Sequence, residues 1–423
     1  MTAFTALLPA AALLAAATAL PPYASHAAAA TPDAPTAPYV VVLKDGATRA
    51  SAAAATRALA AESEAAGDSV GAVYDTALSG FAVRTTAARA AELAADPRVA
   101  SVEPDTVFRI DDDTPVGEAP VGDTPVGEAV APAVPLVQVP APWSLDRLDQ
   151  SELPLDGSYT YPAKAGGITA YIVDTGINTL HQEFGGRARW GANAVFMEGA
   201  TDCNGHGTHV AGTVGGAAYG VAKGVSLVAV KVADCRGDAR LSAITRGIDW
   251  MVKDALKSPA TPAVANMSLG GGYSFALNRA VTRAIASGIT FAVAAGNSAE
   301  NACTGSPAGV PQALTVGATD ALDRRASFSN HGACVDLSAP GVAVTSAWKG
   351  SATATARASG TSMAAPHVAG AAALVLARGL AAGGPRQTPA QVAEVLVRDS
   401  VRDRITALPA GTPNLLLHVA GDK

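Results

Sequence analysis

The chain has 423 residues, 49% hydrophobic and 16% charged, with a formal net charge of −6. That apolar content supports a sizeable core and excludes wholesale disorder, and the length implies about two or three folded units. A mildly acidic chain without a basic stripe argues against nucleic acid as a partner.

In chain order, the first 43 residues contain no Lys or Arg. Residues 6–20 are an apolar run broken by Pro9, and the small residues 27–30 offer an Ala-x-Ala cleavage site. Residues 1–30 therefore read as a signal peptide without the usual basic start, which implies a secreted, extracellular protein. No later segment reaches the ~18–20 apolar residues of a membrane span. The nearest, 363–377, contains Pro366 and His367.

Residues 39–110 read as a small α+β domain. A strand at 39–43 precedes a helix at 51–66, a hairpin at 73–78 and 80–85, a helix at 86–95 and a strand at 99–102. This β-α-β-β-α-β order is ferredoxin-like. Residues 111–137 differ: the run Asp-Thr-Pro-Val-Gly-Glu-Ala at 113–119 recurs at 123–129. An acidic, Pro/Gly-rich repeat of this kind is a linker that buries no core.

From residue 138 to 423 apolar runs alternate with helical stretches. Runs at 168–173, 226–232, 263–267 and 290–294 are short and nearly continuous, as parallel strands covered on both faces are. Helices are expected at 206–216, 241–257, 275–287 and 362–379. The alternation predicts an α/β fold with a mostly parallel central sheet.

The four cysteines, Cys203, Cys235, Cys303 and Cys334, allow three pairings. Joining sequence neighbours is the simplest, each bond closing a loop of about thirty residues and contributing roughly 3–4 kcal/mol. The spacing is not that of a zinc site.

Chemistry-bearing residues fall at the ends of these elements. Asp174 closes a strand in Tyr-Ile-Val-Asp-Thr-Gly, and Asn297 follows another in Ala-Val-Ala-Ala-Gly-Asn. His206 opens a helix in Asn-Gly-His-Gly-Thr-His, and Ser362 opens one in Gly-Thr-Ser-Met-Ala-Ala-Pro-His. A serine hydroxyl needs a base within hydrogen-bond reach, and the base needs an orienting acid. Asp, His and Ser, in that chain order, supply all three. An aspartic protease would need a second Asp-Thr-Gly, which is absent, and a zincin would need His-Glu-x-x-His where Gly207-Thr208 stands. His209, His331 and His367 read as structural.

These three segments resemble the active-site signatures of the subtilisin-like serine proteases. The resemblance covers residues 138–420, and residues 39–110 resemble that family's inhibitory propeptide. Within the family the chain is most similar to the proteinase K and aqualysin branch. The resemblance implies a three-layer subtilisin-like fold and a serine endopeptidase made as a self-processed zymogen. Ser362 is then the nucleophile, His206 the general base and acid, and Asp174 the group orienting His206. Asn297 is an oxyanion donor, a role contributing about 10²–10³ in turnover.

The segments Gly237, Asp238, Ala239 and Ser268, Leu269, Gly270 resemble the two edges between which relatives bind an extended peptide. Gly271 and Gly272 leave room for an apolar or aromatic side chain before the cut. No cofactor is implied for catalysis, but two structural Ca2+ sites are. One is formed by Asp336 with Pro311 and Ala313, the other by Asp146, Asp149, Gln150, Asp156 and Ser158. Partners are protein and peptide substrates and the chain's own propeptide, with the mature enzyme a monomer. The end of that propeptide, 107–110, is expected near the active site. The acidic repeat leaves the cut anywhere between Ile110 and Val139, with family alignment favouring Val137–Gln138 as the mature start.

Overall fold

A strand that is apolar on both faces must be covered on both, and the central sheet obeys this residue by residue. In Thr169–Asp174, Ala170 and Ile172 enter one buried cluster while Tyr171 and Val173 enter another. In Ser226–Lys231, Leu227 and Ala229 enter the first, Val228 and Val230 the second. Helices His206–Gly215, Thr361–Ala381 and Pro389–Asp399 cover the first face, and Leu241–Ala255 and Phe275–Ala286 the second. The result is a three-layer α/β fold.

These features come from a computed structural model that describes residues 1–2, 34–46, 48–110 and 136–419. Residues 3–33, which hold most of the signal peptide expected at 1–30, residues 111–135 with the repeat, and residues 420–423 lie outside the described residues. Thr36 onward forms one compact unit.

The main sheet has nine strands. Its order by first residue is Val401, Leu415, Leu337, Leu314, Ile289, Ala263, Thr169, Ser226 and Ala188. All neighbouring pairs are parallel except the antiparallel pair Val401–Arg402 and Leu415–Leu416. Thr361–Ala381 is long and apolar enough to cross a membrane by length and composition, which the sequence reading did not expect of any later segment. Most of it is buried, as the core helix of this fold.

The N-terminal domain is a four-stranded antiparallel sheet in the order Ser69–Tyr74, Gly80–Thr86, Thr36–Leu43, Val99–Pro104, with helices Arg49–Ala65 and Ala87–Ala95. Its second strand starts and ends four residues earlier than the sequence suggests. A register shift between Val70 and Val73 lengthens the strand at one end. At the other, Asp249 Oδ1 accepts from the backbone N–H of Thr76 (2.7 Å) and Ala77 (2.8 Å) and turns the chain away.

This domain docks on the second helical layer through carboxylates. Helix Leu241–Ala255 has no side-chain cap of its own. Asp105 supplies one, accepting from Ser242 N (2.8 Å) and Ser242 Oγ (2.7 Å). Glu103 does the same for helix Phe275–Ala286, accepting from Ala276 N (2.9 Å) and Ser274 Oγ (2.7 Å). Unsatisfied N–H groups and the helix dipole both favour an anion at these positions. Asp45 adds ion pairs to Arg279 and Arg283, and Asp75 one to Lys253 at 2.7 Å.

Candidate active site

Asp174 is the last residue of a central strand and fully buried. One of its oxygens accepts from the next backbone N–H, of Thr175, at 2.7 Å. His206 is the first residue of its helix and presents Nδ1 at 2.8 and 3.0 Å from the two Asp174 carboxylate oxygens. That approach depends on glycine. A Cβ on Gly207 would lie 3.0 Å from Asp174 Oδ1 and collide with the Gly176 carbonyl. Gly205, at φ 110°, passes against the Trp348 indole, where a Cβ would sit 2.6 Å from the ring.

A second acid holds the strand and helix together. Buried Asp202 accepts from Thr175 Oγ1 (2.9 Å), Gly205 N (2.8 Å), Thr208 N (2.9 Å) and Thr208 Oγ1 (2.6 Å). Thr175 Oγ1 in turn accepts from Gly207 N at 2.9 Å. Sequence reasoning missed Asp202. Its signal was an acid a few residues before a helix start, the position from which a short side chain caps N–H groups.

Ser362 is the second residue of helix Thr361–Ala381, which packs against the His206 helix. Its Oγ lies 3.3 Å from the Ser268 carbonyl, and Ser268 Oγ donates to the Ser362 carbonyl at 2.9 Å. Asn297 meets the same helix start: its Oδ1 accepts from Thr361 N (2.9 Å) and Thr361 Oγ1 (2.8 Å). With the carbonyl end anchored twice, the amide plane is fixed and its NH2 is the end that can donate to an oxyanion. Thr361 is thus an orienting residue that the sequence reading did not single out.

The two expected substrate edges flank one strand that follows the N-terminal sheet. Val107–Arg109 pairs antiparallel with Asp238–Arg240, Phe108 opposite Ala239. On the other side Arg109 N donates to Gly270 O and Gly270 N to Arg109 O, both at 3.1 Å. Ile110 N donates to Gly237 O at 3.1 Å. Phe108 is buried, its ring against the position where a Gly271 Cβ would stand 2.6 Å away. Leu269 is buried between Ser268 and Gly270. By contrast, Leu136–Gln138 pairs with Tyr159–Tyr161, so the alignment-favoured start at Val137–Gln138 lies in a separate two-stranded sheet.

Disulfides join Cys203 to Cys235 and Cys303 to Cys334. The first ties the approach to His206 to the Gly237 edge. The second ties the loop after Asn297 to residue 334. His209 and His367 are fully buried, and burial lowers their proton affinities to about 3 and about 4. His209 Nε2 lies 3.0 Å from the Val344 carbonyl and His367 Nδ1 2.8 Å from that of Met363, as structural histidines would.

The two oxygen-rich groups expected to hold calcium differ in their donor chemistry. Asp336, Pro311 and Ala313 line one cavity of about 760 Å3. The Asp336 carboxyl, which accepts from Thr315 N at 2.8 Å, is pushed up to about 6 by burial. In the second group, Asp146 accepts from Gly157 N (2.8 Å) and Asp149 Oδ2 from Thr160 N (2.7 Å). Asp156 Oδ1 accepts from Ser158 Oγ at 2.7 Å. Asp149 Oδ1 and Gln150 Oε1 are buried with no hydrogen-bond partner among the described residues. Burial raises Asp146 and Asp149 too. Buried oxygens without donors suit a hard cation, which favours Ca2+ at the second set; at the first the fit rests on the buried Asp336 carboxyl alone.

Residues 166–418 match the subtilase family model, and residues 38–111 match peptidase inhibitor I9. The chain is 50% identical to the extracellular serine proteinase of Thermus sp. (strain Rt41A), over 82% of this chain and 77% of that protein. It is 43% identical to alkaline serine exoprotease A of Vibrio alginolyticus, over 83% of this chain and 60% of the relative. Among solved structures, a cold-adapted subtilisin-like serine proteinase is 48% identical with a TM-score of 0.63, covering 67% of this chain and all of that one. The chain belongs to the subtilase family: it is a serine-type endopeptidase with a subtilisin-like fold, preceded by a peptidase inhibitor I9 domain.

Proposed function

We propose that Ser362, His206 and Asp174 form the catalytic triad, with Asn297 in the oxyanion hole. Ser362 Oγ adds to the scissile carbonyl carbon while His206 Nε2 takes its proton. The imidazolium returns that proton to the departing amine nitrogen, leaving an acyl-enzyme. Water, deprotonated by His206, then releases the acid and regenerates Ser362. Asp174 holds Nδ1–H and stabilises the imidazolium. The oxyanion is met by Asn297 NH2 and the Ser362 backbone N–H, at a helix start where the dipole favours negative charge. The single observation behind this reading is the 2.8 Å contact between His206 Nδ1 and Asp174.

Substrates bind as a third strand between Gly237, Asp238, Ala239 and Ser268, Leu269, Gly270. The glycine-walled cavity beside Gly271 takes apolar and aromatic side chains before the cut. Residues 39–110 act as the inhibitory propeptide, with 107–110 lying in the cleft as the acyl side of a substrate would. Self-cleavage then falls soon after Ile110, and the stretch up to Gln138 stays on the catalytic domain, 138–423, until later trimming. Two disulfides and an extracellular relative support secretion after loss of residues 1–30. Two Ca2+ ions add stability and take no part in the chemistry. The mature enzyme acts as a monomer.

The test is intact mass and casein hydrolysis of secreted wild type and Ser362→Ala in parallel. Wild type is expected to shorten and cut casein while the variant stays long and inert. Casein hydrolysis by the variant would remove Ser362 as nucleophile.

A further inference from the structure

We propose that Glu300 makes the cavity beside the nucleophile accept lysine and arginine side chains in addition to aromatic ones, so that this protease also cuts after basic residues. The inference rests on the reading of Ser362 as nucleophile and goes beyond it by naming a second substrate class and the residue that selects it.

The strand Val107–Ile110 shows how an extended chain lies between the Gly237 and Gly270 edges. A substrate carbonyl held between Ser362 and Asn297 lies at the mouth of the space bounded by Gly270, Gly271 and Gly272 and by the segment that leads into Asn297. The space there is a cavity of about 280 Å3, closed on its far side by Ala294, Ala295 and Gly296, the segment leading into Asn297. Gly305, opposite Gly272 in a short antiparallel pair, keeps the slot open on its third side.

Glycine and alanine walls set a shape and no charge. Among the described residues lining this cavity, the one ionisable side chain is Glu300. Its backbone is held on both sides: its N–H donates to Asn330 Oδ1 at 2.9 Å, and its carbonyl accepts from His331 N at 2.9 Å. Ala299, immediately before it, takes the left-handed conformation at φ 55°, and the Cys303–Cys334 bridge closes the loop three residues on. The carboxylate is thus carried on a braced loop, exposed at the cavity, with no ion pair or hydrogen bond among the described residues.

A lysine or arginine side chain suits this arrangement in two parts. Its methylene stem lies along the glycine wall, and its cationic head stays at the wet end against the acid. An aromatic ring uses the same walls and leaves Glu300 hydrated. A charge pair at an exposed rim is worth a modest preference that salt screens.

The experiment compares kcat/KM on a peptide series differing only in the residue before the cut (Phe, Lys, Glu) for wild type, Glu300→Gln and Glu300→Lys, with Ser362→Ala as control. Wild type is expected to cleave the Lys peptide well above the Glu peptide. Glu300→Gln is expected to lower kcat/KM for Lys by about three- to fivefold while leaving Phe within about twofold. Raising salt to about 1 M should shrink the Lys preference of wild type and leave that of Glu300→Gln unchanged. Glu300→Lys should lower Lys further and raise Glu. Equal losses on Phe and Lys, or an unchanged Lys rate in both variants, would overturn the role of Glu300 while leaving the nucleophile in place. Cleavage of the Phe peptide by Ser362→Ala would overturn the nucleophile itself.

Discussion

The Nδ1 atom of His206 lies within hydrogen-bond distance of both carboxylate oxygens of Asp174, at 2.8 and 3.0 Å. The contact fixes the imidazole tautomer with the proton on Nδ1, leaving Nε2 as the basic atom. Asp174→Asn should therefore keep the fold but favour the wrong tautomer, lowering kcat by about 10⁴ with little change in KM. Steady-state kinetics on one peptide, beside an unchanged far-UV spectrum, checks this.

The carboxylates of Glu103 and Asp105 each sit at the start of a catalytic-domain helix. Replacing both (Glu103→Gln with Asp105→Asn) removes two charge-assisted caps worth about 1 kcal/mol each. The cleaved propeptide should then leave sooner, by about tenfold or more. The lag between first cleavage of the precursor and casein hydrolysis measures it, and an unchanged lag at normal yield would mean the caps do not govern release.

Buried His209 and His367 give the fold an acid-labile element. Both bind a proton less readily folded than unfolded, so their neutral forms contribute stability in full above about pH 6.5. That stability is lost as pH falls through the window from about 6.5 towards about 4 for His367 and about 3 for His209. For His367 the displacement is worth about 3 kcal/mol at full protonation. Thermal melts of Ser362→Ala between about pH 7 and 4 should show Tm falling with pH, and adding His367→Gln should flatten that slope.

Metal removal should also lower stability. Chelation is expected to cost about 3 kcal/mol for a site previously at about a hundred times its Kd. Asp336→Asn and Asp149→Asn should each abolish part of the calcium-dependent rise in Tm. A Tm indifferent to both chelator and calcium would leave the orphaned oxygens of Asp149 and Gln150 without the proposed ligand.

Elements carrying a strong local signal were legible in sequence. The strand Ala263–Met267 was found to the residue because it is apolar and covered on both faces, and the four helices expected after residue 138 start within a residue of their observed positions. Strands such as Ala188–Asn193 and Leu337–Pro340 escaped because their stretches lack a clean apolar period. Helix Pro389–Asp399 escaped despite its Thr388–Gln391 capping box, since it buries only Val392 and Leu396. At the site, Asp174, His206, Asn297 and Ser362 stood out in motifs. Asp202 and Thr361 did not, because what they do is visible only once distant segments meet.

On the proposed strand-addition reading, the three-stranded arrangement around Val107–Ile110 also determines what this enzyme can digest. A peptide that pairs on both sides at once must first have surrendered any partners of its own. Segments inside a sheet have neighbours already, and helical segments have turned their backbone groups inward. The cleft is in effect a test for absence of structure, passed by unfolded chains and loose connectors and failed by well-folded domains. On that reading, discrimination between intact and damaged proteins comes from backbone geometry, before any side chain is read.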